Sequence, residues 1–359
     1  MESSKQKIKI IQVVTGLVPG GAERLLLDMM QEFDATRFDV RLVSIVDDLR
    51  ALQVYGHPDQ KVDVFDMRAG KRIRNFQRLR DFIKAFAPHV IHAHMFHSLL
   101  AVALATRRLK RAPKLCFTSH LDPYPFTRAA LVCALKTWRD ADIVFESGQH
   151  PRMNVQDTRV IPNGVPVPSQ LPRRTQWAAG GTVRLLSVGR LADQKDPLGL
   201  LRSIARTALP NVTLDFVGSG PLEGAARALA SELGLANQVR FLGLRSDVRE
   251  CMRNADMFVM HSESEGMPMA LLEAGAAAMP VLATPVGSIP SVLGDDRGWV
   301  VSREQFAEVL DGVLKDPKAA ISAGKRLYRH VSEFHSIRAT TRQHEELYQD
   351  LIGSVSPQR

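Results

Sequence analysis

Ser187-Val188-Gly189-Arg190-Leu191-Ala192-Asp193-Gln194-Lys195-Asp196-Pro197 closes the apolar run Val183–Val188. A β-rich run that meets glycine and then Asp-Pro reads as a strand, a tight loop and a helix start. Asp196 would be the cap and Pro197 the first helical residue. That order is one half of a β-α-β unit, and it repeats in both directions along the chain. Before it, strands are expected at Ile8–Val14, Asp39–Val46, Val62–Met67, His89–His94, Lys114–Ser119, Ile143–Glu146 and Arg159–Ile161. After it they are expected at Val212–Val217, Val239–Leu242, Met257–His261, Val281–Ala283 and Trp299–Val301. Helical spacing fills most of the gaps, as in Phe76, Leu79, Phe82, Ile83 and Phe86. Near-continuous apolar strands alternating with helices predict parallel sheets covered on both faces. Two such series in succession predict an α/β chain of two Rossmann-like, doubly wound domains.

The boundary is expected where periodicity lapses, near Pro162–Gly181. Pro162, Pro166, Pro168, Pro172, Gly180 and Gly181 crowd that stretch, with Asn163-Gly164 as a turn signal. The expected division is residues 1–165, a linker at 166–181, a second domain at 182–335, and residues 336–359. Ser336 to Ile352 reads as a helix able to pack back on the first domain.

Composition narrows the function classes. The 359 residues suffice for two cores, and Cys116, Cys133 and Cys251 are odd in number and far apart, which suggests no disulfide framework. Residues Met1 to Lys5 run straight into the first strand without a signal-like apolar region. No uninterrupted apolar run of about 18 residues occurs, so a reducing cytoplasm is the expected setting. The net charge of +9 is uneven: residues 1–170 hold 25 Lys and Arg against 17 Asp and Glu, the remainder 22 against 21. The densest cations are Arg68, Lys71, Arg72, Arg74, Arg78, Arg80 and Lys84, then Arg107, Arg108, Lys110, Arg111 and Lys114. Such clusters are either a solvated face or a contact for an anionic surface. No zinc-finger, helix-turn-helix or RNP-like pattern accompanies them, so a membrane is the expected anionic surface and nucleic acid is not a partner.

In doubly wound sheets ligands sit at the carboxyl ends of strands. Four loops there carry chemistry. Thr15-Gly16-Leu17-Val18-Pro19-Gly20-Gly21-Ala22-Glu23 follows the first strand, and its glycines allow close backbone approach to an anion at a helix start. It is neither a G-x-G-x-x-G nor a Walker A loop, and an ordinary glycine-rich turn is the competing reading. In Gly189–Pro197, Arg190 and Lys195 either flank a cap at the surface or supply cations to a diphosphate. Phe216-Val217-Gly218-Ser219-Gly220-Pro221 would admit a base or ribose against backbone. His261-Ser262-Glu263-Ser264-Glu265-Gly266-Met267-Pro268-Met269-Ala270-Leu271-Leu272-Glu273 is the most informative. Glu265 precedes a helix whose N–H groups at Met269 and Ala270 could bind phosphate oxygens. Glu273 is an acid in an otherwise apolar helix, where acids are rarely left without a purpose.

These loops together resemble the retaining glycosyltransferases of family four, of GT-B fold. The resemblance rests on Gly20-Gly21-Ala22-Glu23, Gly189-Arg190-Leu191 with Gln194-Lys195, and Glu265 with Glu273, in that order. Ile161-Pro162-Asn163-Gly164-Val165 and Pro280-Val281-Leu282-Ala283-Thr284 extend it over nearly the whole chain. It implies two domains facing across a cleft, a nucleotide-sugar donor with UDP as the carrier, and a glycan or lipid-linked acceptor of cell-envelope or exopolysaccharide assembly. It also implies that no metal or other cofactor is needed. Arg190 and Lys195 would neutralise the donor diphosphate, with Gly20, Gly21, Gly189, Gly218 and Gly220 approaching the donor by backbone. Glu265 would hold sugar hydroxyls and Glu273 the ribose. Gly266, Met267, Pro268, Met269 and Ala270 would form the turn beneath the phosphates. His120, after Phe117-Thr118-Ser119, matches the family's histidine facing donor sugar and acceptor. His120, Arg190, Lys195 and Glu265 are thus the implied catalytic set.

Where the family commonly carries an acid, Gly287-Ser288-Ile289-Pro290-Ser291 ends in serine. His92, His94 and His97 fit no common zinc spacing and are expected to bind no metal. Rival readings on the same fold are a nucleotide-sugar epimerase, a phosphorylase and a sugar-binding protein without activity. The intact Arg190, Lys195, Glu265 and Glu273 set argues against the last.

Overall fold

A computed structural model describes residues 7–353, apart from 69, 71, 121–129, 131, 136, 137, 146–156, 175, 176, 178–180 and 208–210. Lys71, Glu146, Gly180, Met1 to Lys5 and residues 354–359 therefore lie outside the described residues. The chain divides into two compact units, residues 1–163 with 337–359 and residues 164–336.

The first unit is a seven-stranded sheet in the order β3-β2-β1-β4-β5-β6-β7. Its strands are β1 (Ile8–Val14), β2 (Phe38–Ser44), β3 (Asp63–Val64), β4 (Val90–His94), β5 (Lys114–Thr118), β6 (Ala141–Val144) and β7 (Asp157–Val160). Every pairing is parallel. The second is a six-stranded parallel sheet in the order β10-β9-β8-β11-β12-β13. Here β8 is Val183–Val188, β9 Val212–Val217, β10 Val239–Phe241, β11 Met257–Met260, β12 Val281–Ala283 and β13 Trp299–Val300. Counted from β8, this is the 3-2-1-4-5-6 order of a dinucleotide-binding fold. Each sheet reverses its winding direction once, at β1/β4 and at β8/β11. The loops leaving those strands therefore diverge and open a crevice between them.

All thirteen expected strands are present: β1, β8, β9 and β12 have the expected bounds and the others have shifted ends. The largest change is β3, expected as Val62–Met67 and reduced to Asp63–Val64. It is an edge strand, and its continuation stays bonded to the β2 side, by Phe65 N–H to Ser44 O at 2.9 Å and Met67 N–H to Ile45 O at 2.8 Å.

Period-two alternation sorts each strand of the first sheet onto two faces. Ile11, Val13, Ile91, Ala93, Leu115 and Phe117 pack with Leu79, Ile83, Leu99 and Val102 of the helices Arg72–Phe86 and Phe96–Thr106. Ile10, Val90 and Cys116 turn the other way, toward Leu347, Tyr348 and Leu351 of the helix Ile337–Gly353. The last helix thus belongs to the first unit's core, and each such side chain contributes about 1.5–3 kcal/mol when fully buried.

The stretch 166–181 was expected to be a connector. Its described residues are instead tied to the second unit. Arg174 donates to the carbonyls of Met252 at 2.6 Å, Ala255 at 2.5 Å and Ala277 at 3.0 Å. These carbonyls end two helices, where a cation is favoured. Burial lowers the Arg174 pKa only to about 10, so it stays charged. Trp177 Nε1 donates to Leu314 O at 2.9 Å, and Tyr328 Oη to Pro168 O at 2.7 Å. Proline and glycine content marked the lapse in periodicity; the side-chain bonds that fasten the stretch carried no such signature.

Candidate active site

In the second unit the loops after β8 and β11 are stapled together. Glu263 N–H donates to Gln194 O at 2.8 Å, and Gln194 Nε2 to Ser264 O at 3.0 Å. Between them Lys195 Nζ is bonded to Glu265 Oε1, an oxygen that also accepts from Ser262 Oγ at 2.7 Å. The Glu265 side chain is 5% exposed and that of Lys195 23%. Both bonds fall on Oε1, leaving Oε2 without a partner among the described residues. The carboxylate is thus held from one side and open on the other.

The backbone around this pair is tight. A Cβ on Gly218, whose φ is +131°, would stand 2.0 Å from Gly189 O, and one on Gly220 would stand 2.2 Å from Leu191 O. Only glycine lets the loop after β9 lie against the loop after β8. Gly287, at φ +55°, passes beneath Glu265 in the same way, and a Cβ there would meet Glu265 O at 2.2 Å. Ser288 then bonds Gly266 O through both N–H and Oγ at 3.0 Å.

Asp196 holds the far end of the loop. It adopts a left-handed conformation (φ 44°), tolerated by Asp more readily than by most residues, and caps the helix Pro197–Ala205 by accepting from Gly199 N–H at 2.9 Å. Its second oxygen meets His261 Nδ1 at 2.9 Å, while His261 Nε2 lies 3.3 Å from Ser203 Oγ. Burial lowers the His261 pKa, with Asp196 pulling against it. A neutral His261 that donates from Nδ1 to Asp196 and accepts at Nε2 satisfies all three groups.

Arg190 is exposed at the mouth of this crevice, with no ion pair among the described residues. The helix Met269–Ala276 begins after Pro268, which supplies no side-chain cap. Its first N–H donors, at Met269 and Ala270, therefore point into the loop region without helical acceptors. Met267, Pro268 and Met269 are buried, whereas Glu273 is only half-buried. It lies on the open side of a helix whose other side fills the core.

In the first unit the loop after β1 leads into the helix Gly21–Glu32 with Gly20 as an extended, uncapped start. Tyr55 Oη donates to Gly20 O at 3.1 Å. A Cβ on Gly20 would stand 2.6 Å from Glu23 Oε2, so that glycine makes room for the acid beneath it. Burial raises the Glu23 pKa to about 7. His120 follows β5, with its Nε2 2.9 Å from His94 Nδ1 and its ring 5.5 Å from that of Phe145. Burial lowers its pKa to about 3.

The structure therefore brings Gly189, Lys195, Gly218, Gly220, Glu265, Gly266 and the Met267–Ala270 turn together in the second unit, with Arg190 at the rim. Gly20, Gly21 and His120 belong to the first. The Ser291 Oγ bonds Ser288 O at 2.9 Å within its own turn, and Arg297 Nη2 donates to Ser291 O at 2.9 Å. Both ring nitrogens of His92 and of His94 are engaged in hydrogen bonds to side chains. Sequence reasoning missed Ser262, Asp196 with His261, and the buried partners of His94. A polar side chain inside a strand apolar on both faces was the available signal for the last, since such groups are seldom left unpaired.

Residues 19–167 match the family described as Glycosyltransferase Family 4, and residues 173–330 match Glycosyl transferases group 1. The D-inositol 3-phosphate glycosyltransferase of Corynebacterium aurimucosum is 28% identical over 296 residues, covering 74% of this chain and 67% of that protein. The UDP-Gal:alpha-D-GlcNAc-diphosphoundecaprenol alpha-1,3-galactosyltransferase of Escherichia coli is 21% identical over 98% of this chain and 99% of its own. Among solved structures, Anabaena Alr3699/HepE in complex with UDP-glucose superposes with a TM-score of 0.82 at 17% identity, covering 96% of this chain and all of that one. That likeness is one of fold, the GT-B class. With both halves matched in order and the donor-loop residues assembled at the β8/β11 switch point, the chain belongs to the family-four glycosyltransferases.

Proposed function

We propose that the enzyme transfers a hexosyl or N-acetylhexosaminyl group from a UDP-sugar, with retention, to a glycan or lipid-linked acceptor of cell-envelope or exopolysaccharide assembly. The observation that carries this reading is the Lys195–Glu265 pair over an uncapped helix start, with Glu265 Oε2 left open. A diphosphate placed there meets Lys195, Arg190 and the N–H groups of Met269 and Ala270. Glu265 Oε2 accepts from a donor-sugar hydroxyl, and the half-buried Glu273 reaches the ribose diol. Uridine is taken from the similar proteins, one named for UDP-Gal and one solved with UDP-glucose.

In this reading the bond between the sugar's anomeric carbon and the phosphate oxygen breaks, and UDP leaves with the electron pair. The cations stabilise the charge that grows on it. The acceptor hydroxyl attacks from the same face and passes its proton to the departing phosphate, so no nucleophilic carboxylate and no metal is required. Gly20 and Gly21 approach the phosphates by backbone, and His120 contacts the sugar. The domain roles follow: the first unit takes the acceptor and the second the nucleotide. The test is release of free UDP from candidate donors with and without candidate acceptors. Release that depends on acceptor supports transfer; donor binding without turnover under any acceptor supports a sugar-binding protein instead.

A peripheral stay at the inner membrane face belongs to the same proposal. No helix among the described residues is long and apolar enough to cross a membrane. On the helix Arg72–Phe86 the stripe Leu79 and Ile83 is buried, whereas Arg72, Arg74 and Arg78 are exposed and Ile73 stands 80% exposed between two of them. Arg68 is paired with Asp66 at 2.7 Å and Lys84 with Asp81 at 3.8 Å, so those two are partly neutralised.

A further inference from the structure

Gln12 occupies the middle of β1, paired in register with His92 of β4, and both are wholly buried. Its amide joins two groups far apart in sequence. Gln12 Oε1 lies 2.8 Å from His94 Nε2, and Gln12 Nε2 donates to Tyr348 Oη at 2.8 Å. Tyr348 Oη is also 2.7 Å from His92 Nδ1, and His92 Nε2 is 2.7 Å from Thr118 Oγ1. At the other end His94 Nδ1 meets His120 Nε2, with the two rings 5.2 Å apart and 24° from parallel. Five hydrogen bonds, through four intervening side chains, thus connect His120 to Thr118 without a break.

Donor counting orders the protons. A neutral imidazole has one donor and one acceptor, and a carboxamide offers donors on one side only. Burial and mutual proximity push the pKa of His92 and of His94 well below the ordinary value, so both rings are neutral. With Gln12 accepting from His94, that ring carries its proton on Nε2 and must accept at Nδ1. Only a proton on His120 Nε2 can fill that bond. On the other side Tyr348 receives from Gln12 and gives its own proton to His92 Nδ1, and His92 donates from Nε2 to Thr118. Every link is satisfied in one sense, which the orientation of a single amide selects.

We propose that Gln12 and Tyr348 are positioning residues for His120: through His94 they hold it as the Nε2–H tautomer and leave Nδ1 as its open acceptor. The inference rests on the reading of His120 as a sugar-contacting group. It gives the helix Ile337–Gly353 a part in the reaction that its distance in sequence conceals, because Tyr348 orients a ring 228 positions earlier. Removing the tyrosine hydroxyl leaves Gln12 free to turn over and His94 free to exchange its tautomer.

The test is nitrogen-15 NMR of the histidine side chains in the full-length protein, wild type beside Tyr348→Phe and Gln12→Met, with steady-state kinetics on each. The expected wild-type spectrum has His120 as one tautomer, protonated on Nε2. Each variant, verified as folded by thermal unfolding, is expected to show His120 as a mixture. Its kcat should fall about tenfold, the low end of the loss seen when the partner orienting a metal-bound imidazole is removed, while the donor KM stays within about twofold. Wild-type His120 protonated on Nδ1, or mixed, overturns the proposal, as does an unchanged tautomer in either folded variant. The wild-type spectrum decides even if both variants fail to fold. His120→Ala separates the two readings: normal turnover there, with the tautomer locked in wild type, removes His120 from the reaction and leaves the positioning network standing.

Discussion

The two units wind their sheets alike, yet the crevices at their switch points have opposite electrostatics. In the second unit the loops carry charge-bearing side chains, with Lys195 on Glu265, Asp196 capping a helix beside His261, and Arg190 exposed. In the first, Gln12, His92, His94 and Tyr348 are buried, neutral and joined by hydrogen bonds and ring contacts. Under the proposed function the difference matches what each crevice would hold. A diphosphate brings charge and needs cations that water can still reach before it binds. A group meant to keep one proton on one atom needs the reverse, because neutral partners in a dry site give direction without a charge to screen. Topology decided where the crevices lie; side-chain polarity decided their chemistry.

The largest expected effect breaks the charged side. Lys195→Ala and Arg190→Ala should each lower kcat by about 100- to 1,000-fold, the usual loss on removing one well-placed electrostatic stabiliser. Circular dichroism should show the fold retained. Near-normal turnover in both would remove the loop after β8 from the diphosphate site. The effect should be smaller in stability for Arg190, which is exposed, than for Lys195, whose loss leaves Glu265 buried without its cation.

The neutral side should fail with acid. His92, His94, His120 and His344 all have pKa values lowered by burial, to about 3 for His120 and about 4 for His344. Between the unfolded value near 6.5 and those native values the unfolded chain binds more protons, so stability falls as pH falls. Each such histidine costs up to about 1.4 kcal/mol per pH unit over its window. Glu23 acts oppositely: its pKa is raised to about 7, so its contribution is present in acid and lost as pH rises from about 4.5 toward 7. Urea titrations from pH 7.5 to 4.5 should show a net loss, because several histidines outweigh one glutamate. Stability that is flat or rises toward pH 4.5 would mean the histidines are not held neutral.

A weaker effect concerns the cationic helix of the first unit. Binding to vesicles with anionic lipid should be salt-reversible and should weaken when Arg72, Arg74 and Arg78 are neutralised. Each contributes about 1 kcal/mol near such a surface, over a reach of roughly 8 Å at physiological salt. Equal sedimentation with neutral and anionic vesicles, or none at low salt, would point to a soluble acceptor. The smallest expected effect is none: under the proposed function Arg190, Lys195 and helix N–H groups take a metal's role, so a chelator should leave turnover unchanged. Loss of activity restored by magnesium or manganese would contradict the charged crevice as drawn.

Much of this was legible in the residues themselves. Strand order in time, though not in space, followed from apolar runs such as Ile8–Val14 and Val183–Val188, which are strands from end to end. Burial on both faces leaves a pattern in composition, and loops that meet a ligand by backbone leave glycines. Gly189, Lys195 and Glu265 were therefore findable from spacing and family likeness. Tertiary structure alone decided which oxygen of Glu265 is open, because the Ser262 and Lys195 bonds depend on two loops 70 positions apart meeting at one point. It alone decided that Arg174 and Trp177 fasten an expected connector, and that Tyr348 closes a network begun at Gln12, 336 positions away. Local propensity and hydrophobic period are written along the chain and can be read there. A hydrogen bond between distant side chains is written only in the packing that brings them together.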